Sequence, residues 1–220
     1  MSKRNPLTDR LEFYQECLQD NADALRYLKL RGISKRAIEE YKLGYCPRNR
    51  GASMLEGRIL FPLLNMEGEV LTYQGRALDS KVRPKYYHSK TKYYDKSKHI
   101  YGLSQIALRN PKPKKIVILE GPMDVILLAQ NNVDAVCTFG TSLSIEHVFT
   151  LASVCKSFDL SYDNDETGKM ASTNAAPLLQ SYGLECNITF TPGGMKDWCE
   201  YLEAYGKKET KKETARCYAL

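Results

Sequence analysis

The chain has 220 residues, of which 43% are hydrophobic and 26% are charged, and its formal net charge is +6. This is the composition of an ordinary globular protein, and the length suffices for one good core or two small ones. Since no apolar run approaches the ~20 residues that span a bilayer and the first residues hold no apolar leader segment, we expect a cytoplasmic protein without a membrane partner.

The cysteine pattern argues against both disulfides and zinc. The chain has seven cysteines, an odd number, and none of them forms a C-x-x-C pair. Scattered cysteines in a protein without a secretion signal are usually reduced. No Cys/His grouping has the spacing of zinc ligands, so no zinc is expected in this chain.

The first part of the chain predicts helices and then a hairpin. Apolar side chains recur at helical spacing over residues 8–46, with Gly32 as a C-terminal cap and Ser34 as the N-cap of the next helix. The segments 58–64 and 69–76 flank the turn Asn65-Met-Glu-Gly and therefore predict two antiparallel strands.

A basic stretch, Arg76–Lys98, follows this hairpin. It contains eight basic residues against two acids, and four tyrosines are interleaved with them. Basic side chains neutralise phosphates and aromatic rings stack on bases, so the stretch is typical of a nucleic-acid surface. An equally acceptable interpretation is a solvated basic loop whose tyrosines serve in packing.

After a Pro- and Lys-rich connector at residues 110–115, the pattern changes to alternating strands and helices, which predicts a parallel sheet. Pro177 is expected to break its helix near Ala176, and the Lys/Glu-rich segment 206–220 is expected to be a frayed tail. In order, the predicted elements are strand 115–119, helix 122–131, strand 134–139, helix 144–155, strand 157–162, helix 168–182, strand 184–190 and helix 197–205.

Acidic residues follow two of these strands. Glu120 ends the first strand, and Asp163 and Asp165 end the third. Side chains at the carboxyl ends of parallel strands point into the ligand-binding crevice of such sheets. Three acids crowded there would repel one another without a divalent cation, and their hard oxygen ligands suit Mg²⁺ or Mn²⁺. The pattern therefore predicts a phosphoryl-transfer site.

Four motifs occur in this order along the second half of the chain. They are Glu120-Gly-Pro-Met-Asp124, the segment Thr138–His147, the segment Asp163–Ala171, and Lys196-Asp-Trp-Cys-Glu200. Together they resemble the Toprim domain of bacterial primases, topoisomerases and some nucleases. The resemblance implies a Rossmann-like α/β domain with a central parallel sheet.

Upstream motifs narrow the resemblance to DnaG-type primases, in a compact form similar to those of phages and mobile elements. These motifs are Arg58-Ile-Leu-Phe-Pro-Leu63, Gln74-Gly-Arg-Ala-Leu78, Pro84-Lys-Tyr86 and Ile100-Tyr-Gly-Leu103. They are similar to the smaller α+β N-terminal subdomain of a primase catalytic core. The implied domains are an N-terminal subdomain at 1–110, a Toprim catalytic domain at 111–205 and a tail at 206–220.

The resemblance implies an enzyme that synthesises short RNA primers on single-stranded DNA from ribonucleoside triphosphates, with two bound Mg²⁺ or Mn²⁺ ions. Carried over residue by residue, it makes Glu120, Asp163 and Asp165 both catalytic and metal-binding, with Asp124 and Asp197 as further metal-binding acids. It assigns nucleotide and template binding to Arg76, Lys85 and Lys96. From the sequence alone, the alternative for Asp124 is a first-turn helix acid that complements the helix dipole, and the alternative for Asp197 is a helix cap.

This sequence also departs from the bacterial pattern. Cys199 stands where the last motif of the family has a second aspartate. The zinc-binding and helicase-binding domains of full-length primases have no counterpart in these 220 residues, so a replicative helicase or a separate template-recognition protein is the expected partner. A Toprim nuclease and a non-catalytic DNA-binding regulator that mimics a primase stay open as alternatives.

Overall fold

The computed structural model describes residues 5–48, 53–79 and 81–218. The chain divides into unit 1, Met1–Asp95, and unit 2, Lys96–Leu220. This division falls earlier than the predicted domain boundary after residue 110. No helix in the described ranges combines the length and the apolar character that crossing a membrane requires.

In its described residues, unit 1 has four short helices and an antiparallel sheet whose strands lie in chain order. The helices are α1 (Pro6–Asp9), α2 (Leu11–Gln19), α3 (Ala22–Leu30) and α4 (Lys35–Glu40). The strands are β1 (Gly44–Cys46), β2 (Arg58–Leu64), β3 (Val70–Ala77) and β4 (Tyr86–His88).

The two residues predicted to bound α4 and the helix before it have the expected cap geometry. The Ser34 hydroxyl accepts a hydrogen bond from the backbone N–H of Ala37 at 3.2 Å, which confirms the predicted N-cap of α4. Gly32 has a φ of +79°, the left-handed conformation that glycine supplies after a helix. The helical prediction is wrong at its end, because Gly44–Cys46 pairs with β2 as a strand.

The predicted hairpin is confirmed. β2 pairs with β3 in antiparallel register, and the turn is closed by the Asn65 side chain, which accepts from the backbone N–H of Glu69 at 2.8 Å. Leu60, Val70 and Tyr73 of the two strands contribute to the core of unit 1. The sequence did not predict β4, because three residues between Lys85 and Ser89 are too few to show a readable alternation of apolar and polar side chains.

The described residues of unit 2 contain a parallel four-stranded sheet in the order β6-β5-β7-β8. Its strands are β5 (Ile116–Leu119), β6 (Ala135–Cys137), β7 (Ser157–Leu160) and β8 (Glu185–Ile188). Its helices are α5 (Leu103–Ile106), α6 (Pro122–Ala129), α7 (Ile145–Ala152), α8 (Glu166–Ser181) and α9 (Trp198–Cys217), with a 3₁₀ turn at Pro192–Gly194. The predicted alternation of strands and helices is confirmed.

Two predictions about the helices of unit 2 are wrong. α8 continues through Pro177 without a break, because its face with Ala176 and Leu179 is buried in the core and this packing offsets the cost of the proline, about 3 kcal/mol. The segment 206–217 is helical, not frayed: α9 bends at Gly206 and continues to Cys217. The buried side chains of Thr214 and Tyr218 anchor this part of the chain, and residues 219–220 lie outside the described residues.

Candidate metal centre

Three of the predicted acids meet at the carboxyl edge of the parallel sheet. β5 and β7 are neighbours, so Glu120 after β5 lies beside Asp163 after β7. The backbone N–H of Asp163 donates to Oε1 of Glu120 at 3.2 Å. Asp165 is the N-cap of α8, where Oδ1 accepts from the backbone N–H of Gly168 at 2.9 Å. A Cβ on Gly168 would lie 2.1 Å from the Asp163 carbonyl oxygen, so only glycine permits this tight loop.

Lys196 joins the two aspartates. Its Nζ lies 3.0 Å from Oδ2 of Asp163 and also contacts Oδ2 of Asp165. Lys196 stands in the last of the four motifs, but it was not among the predicted site residues. The signal that identifies it is strand order: β8 is the neighbour of β7, so the loop after β8 runs beside the aspartates that follow β7.

The charges of the centre are only partly balanced. Burial, reinforced by the negative charge of Asp163, raises the pKa of Glu120 to about 7. Burial also raises the pKa of Asp163, in spite of its hydrogen bond to Lys196. The hydrogen bond from Lys196 lowers the pKa of the more exposed Asp165. The single ammonium thus leaves a carboxyl site that favours a further positive charge.

A second group of possible ligands lies beside the first. One ligand atom each of Asp124, Asp197 and Cys199 falls within 4.8 Å of the others. Oδ1 of Asp124 accepts from the backbone N–H of Cys199 at 3.0 Å. Burial, followed by repulsion from Asp197, raises the pKa of Asp124 to about 7.

Both of these aspartates also have the helix roles that the sequence allowed. Asp124 lies in the first turn of α6, and Asp197 is the N-cap of α9, accepting from the backbone N–H of Glu200 at 2.7 Å. A helix role does not exclude a metal role, because each carboxylate has two oxygens with several lone pairs. Metal binding by these residues stays a prediction.

Residues of the two groups line one small pocket, which has room for about one water molecule or one metal ion. Its acidic lining consists of Glu120, Asp124, Asp163 and Asp197, and Trp198 and Tyr162 supply apolar walls. The donors are chiefly carboxylate oxygens, which fit a hard divalent cation. The ammonium of Lys196, which contacts Asp163 and Asp165, shows that these carboxylates accept a cation, so the residues fit the predicted metal.

The predicted phosphate-binding residues have unequal surroundings. Lys96 belongs to unit 2 and is exposed, and its Nζ lies 3.8 Å from the position that a Cβ on Gly140 would take. Gly140 follows β6, and its backbone N–H donates to the carbonyl of Glu120 at 2.9 Å. The Lys96 ammonium thus lies near the strand ends that carry the acids.

Arg76 and Lys85 belong to unit 1. Arg76 is buried, and its guanidinium lies over the rings of Tyr27 and Tyr86, 5.4 and 5.0 Å from their centroids, while hydrogen-bonding both hydroxyls. Tyr86 therefore packs on a neighbour, as the alternative interpretation of the basic stretch proposed. The side chain of Lys85 is exposed.

Arg58 secures the loop that carries Lys85. It is 2% exposed, and it donates to the carbonyl oxygens of Met54 at 2.7 Å, Pro84 at 2.9 Å and Lys85 at 3.1 Å. Because five donors on one planar group can satisfy several carbonyls at once, a buried arginine can hold two loops together.

Comparison with known proteins identifies the two parts of the chain. Residues 117–202 match the model of Toprim-like domains, and residues 49–107 match that of the N-terminal domain of the DNA primase catalytic core. The parallel sheet of unit 2 with its acidic edge is thus a Toprim fold, as predicted. With the N-terminal match, the chain belongs to the family of DnaG-type primase catalytic cores.

Relatives and solved structures agree with this assignment. The DNA primase of Legionella pneumophila is 33% identical over 86% of this chain, which spans 38% of that primase. A structure of the DnaG catalytic core matches with a TM-score of 0.80 and 27% identity, covering 94% of this chain and 78% of the other. A DnaG primase catalytic domain bound to ssDNA matches with a TM-score of 0.81 and 26% identity, covering 96% and 80%. The chain spans about two fifths of the length of the DNA primases that it matches.

Proposed function

We propose that this chain is a primase catalytic core that synthesises short RNA primers on single-stranded DNA in the cytoplasm. The observation that carries the proposal is the cluster of Glu120, Asp163 and Asp165 at one edge of a Toprim sheet. Burial raises the pKa values of Glu120 and Asp163, with repulsion between carboxylates adding to the effect, and carboxyl groups perturbed in this way are typical of functional sites. A chain that merely binds DNA has no need of them.

Each acid has a task in this proposal. Glu120, Asp163 and Asp165 hold one divalent ion, and Asp124 and Asp197 support a second, with the Cys199 thiol beside them. Two Mg²⁺ or Mn²⁺ ions supply stabilisation of the triphosphate charge and activation of the attacking hydroxyl. Glu120, whose pKa is about 7, can also accept a proton near neutral pH.

The substrates follow from the basic residues and from the family. Lys96 and Lys85 are exposed cations that suit phosphates. Arg76 is held between two tyrosines and contacts a phosphate in this proposal only if that pairing opens. Single-stranded DNA as the template is supported by the similar DnaG catalytic domain bound to ssDNA, and ribonucleoside triphosphates are the substrates that the family implies.

Primer synthesis tests the proposal directly. The chain is incubated with single-stranded DNA, labelled ribonucleoside triphosphates and Mg²⁺ or Mn²⁺, and the products are resolved on a denaturing gel. We expect short template-dependent RNAs from the wild type and from the matched control Asp23→Asn, an acid 78% exposed on α3. Asp163→Asn should lower synthesis by at least about 100-fold, because a carboxylate that faces developing charge is lost.

Other products would support the other functions. A degraded template without new RNA would indicate a Toprim nuclease. DNA binding that is unchanged by Mg²⁺, with neither product, would indicate a non-catalytic regulator. Full activity in Asp163→Asn would contradict the site assignment.

We also propose that a replicative helicase or a separate template-recognition protein holds this core on DNA. The relatives are longer than this chain, which spans 38–39% of the first three of them. Pull-down of the cognate helicase with the tagged chain tests the partner. Absence of binding at micromolar concentrations, together with unaided primer synthesis, would contradict this part of the proposal.

A further inference from the structure

Lys196 is placed by its main chain as well as by its ammonium. Its carbonyl oxygen accepts a hydrogen bond at 2.7 Å from the backbone N–H of Asn164, the residue between the two aspartates. Its own N–H donates to the carboxylate of Glu200 in the first turn of α9. The backbone at residue 196 is therefore tied on both sides, and only the side chain is free to change its place.

The ammonium lies where a cation between the aspartates would lie. It contacts Oδ2 of both Asp163 and Asp165, yet 52% of the Lys196 side chain is exposed. A divalent ion bound to the same two oxygens would repel an ammonium within a few ångströms. The long lysine stem allows the ammonium to withdraw into water without moving the backbone.

We infer that Lys196 is a built-in competitor of the metal: its ammonium occupies the Asp163–Asp165 position in the metal-free chain and must leave when a divalent ion binds there. The inference rests on the proposed function, because it takes these carboxylates as metal ligands. In the metal-free chain the ammonium holds the two acidic side chains together. Because the divalent ion must displace the ammonium, this competition raises the metal concentration that is needed to fill the site.

Direct metal binding tests this inference without any enzyme assay. The affinity for Mn²⁺ is measured by calorimetry on the full chain in low salt, and thermal unfolding is followed in EDTA. The variants are Lys196→Gln, which removes the competing charge, and Lys196→Arg, which keeps it. The matched control is Lys169→Gln, since Lys169 is an exposed cation in the first turn of α8 that lies over the Phe190 ring.

Lys196→Gln should bind Mn²⁺ at least about threefold more tightly than the wild type, the factor that a partly exposed ion pair supports. The same variant should unfold at a lower temperature in EDTA, because Asp163 and Asp165 then lack their shared counter-ion. Lys196→Arg and Lys169→Gln should each stay within about twofold of the wild-type affinity.

The outcomes separate the inference from the function. Metal binding by the wild type with equal or weaker affinity in Lys196→Gln would overturn the inference and leave the proposed function standing. Equal tightening in Lys169→Gln would overturn it too, because general charge would then explain the effect. Absence of metal binding in the wild type would overturn both.

Discussion

At the scale of single residues, protons and metal compete for the same carboxyl groups. Burial beside Asp163 raises the pKa of Glu120 from its ordinary value of 4.5 to about 7. Below pH ~4.5 the folded and unfolded chains both hold this proton, and between the two values only the folded chain does. The contribution of Glu120 to the metal-free stability is therefore lost as the pH rises through 7.

Replacing Glu120 with glutamine tests this predicted loss of stability with rising pH. In EDTA at pH 5, Glu120→Gln should unfold at nearly the wild-type temperature, because the native carboxyl is then protonated. At pH 8 the variant should unfold about 2–4 °C above the wild type, because it lacks the buried negative charge. This is the shift in unfolding temperature that about 1 kcal/mol gives in a protein of this size. Calorimetric scans at both pH values measure the difference in unfolding temperature between variant and wild type. The control is Glu209→Gln, because Glu209 is an acid on α9 that pairs with Lys212. A gap that is the same at both pH values would contradict the pKa argument.

The individual residues of the centre were not equally predictable. Glu120, Asp163 and Asp165 follow apolar strands directly, so their place at the sheet edge can be predicted from local pattern and strand direction. Lys196 lies 33 residues after Asp163, and only the sheet order makes the two neighbours. A single sequence contains no local signal for such a pairing.

At the scale of elements, α9 closes one side of the acidic pocket. Beyond its bend at Gly206 it leads to Tyr218, whose hydroxyl lies 2.7 Å from Oγ of Ser161 and accepts from Nε1 of Trp198 at 3.2 Å. Ser161 immediately follows β7, and Trp198 begins α9. The end of the helix is thus bonded to two residues that line the pocket.

Removing one hydroxyl tests this closure. Tyr218→Phe leaves the buried Ser161 hydroxyl and Trp198 N–H without this partner, so we expect a loss of about 1–3 kcal/mol of unfolding free energy. The control is Tyr205→Phe, whose parent side chain is 50% exposed, and which should change the free energy by less than about 0.5 kcal/mol. Urea unfolding measures both. A loss no larger than that of the control would show that the hydroxyl is not needed for closure.

The elements that sequence reasoning missed share one property. The strands β1 and β4 have only three residues each, and the last helix carries many lysines and glutamates. Their local patterns predict the end of a helix, a loop and a tail, respectively, because the contacts that order them are made to other elements of the chain. The longer strands and helices of unit 2 show clear apolar periodicity and were predicted within a few residues.

At the scale of the whole molecule, each unit has its own sheet and its own core. Every acid proposed to bind metal lies in unit 2, as does Lys196. A segment with its own core is able to fold alone in many proteins. Metal binding should therefore be a property of unit 2, whereas primer synthesis should require the entire chain.

A fragment of residues 96–220 tests this division. We expect it to bind Mn²⁺ with an affinity within about threefold of the full chain, because all its ligands are present and the fold is self-contained. The same fragment with Asp163→Asn serves as the control and should bind markedly less. Circular dichroism establishes whether each fragment is folded. A folded fragment that has lost its metal affinity would show that unit 1 contributes to the centre.

The loop that Arg58 secures has a consequence for genetics. Its guanidinium contacts main-chain carbonyls within unit 1, among them that of Lys85. A screen for lost activity would select substitutions at Arg58 as readily as substitutions of the acids, because the loop would lose its support. Arg58 would then be mistaken for a substrate contact. Exchanges at Lys85 would leave this support in place, because Arg58 contacts the backbone carbonyl of Lys85 and not its side chain.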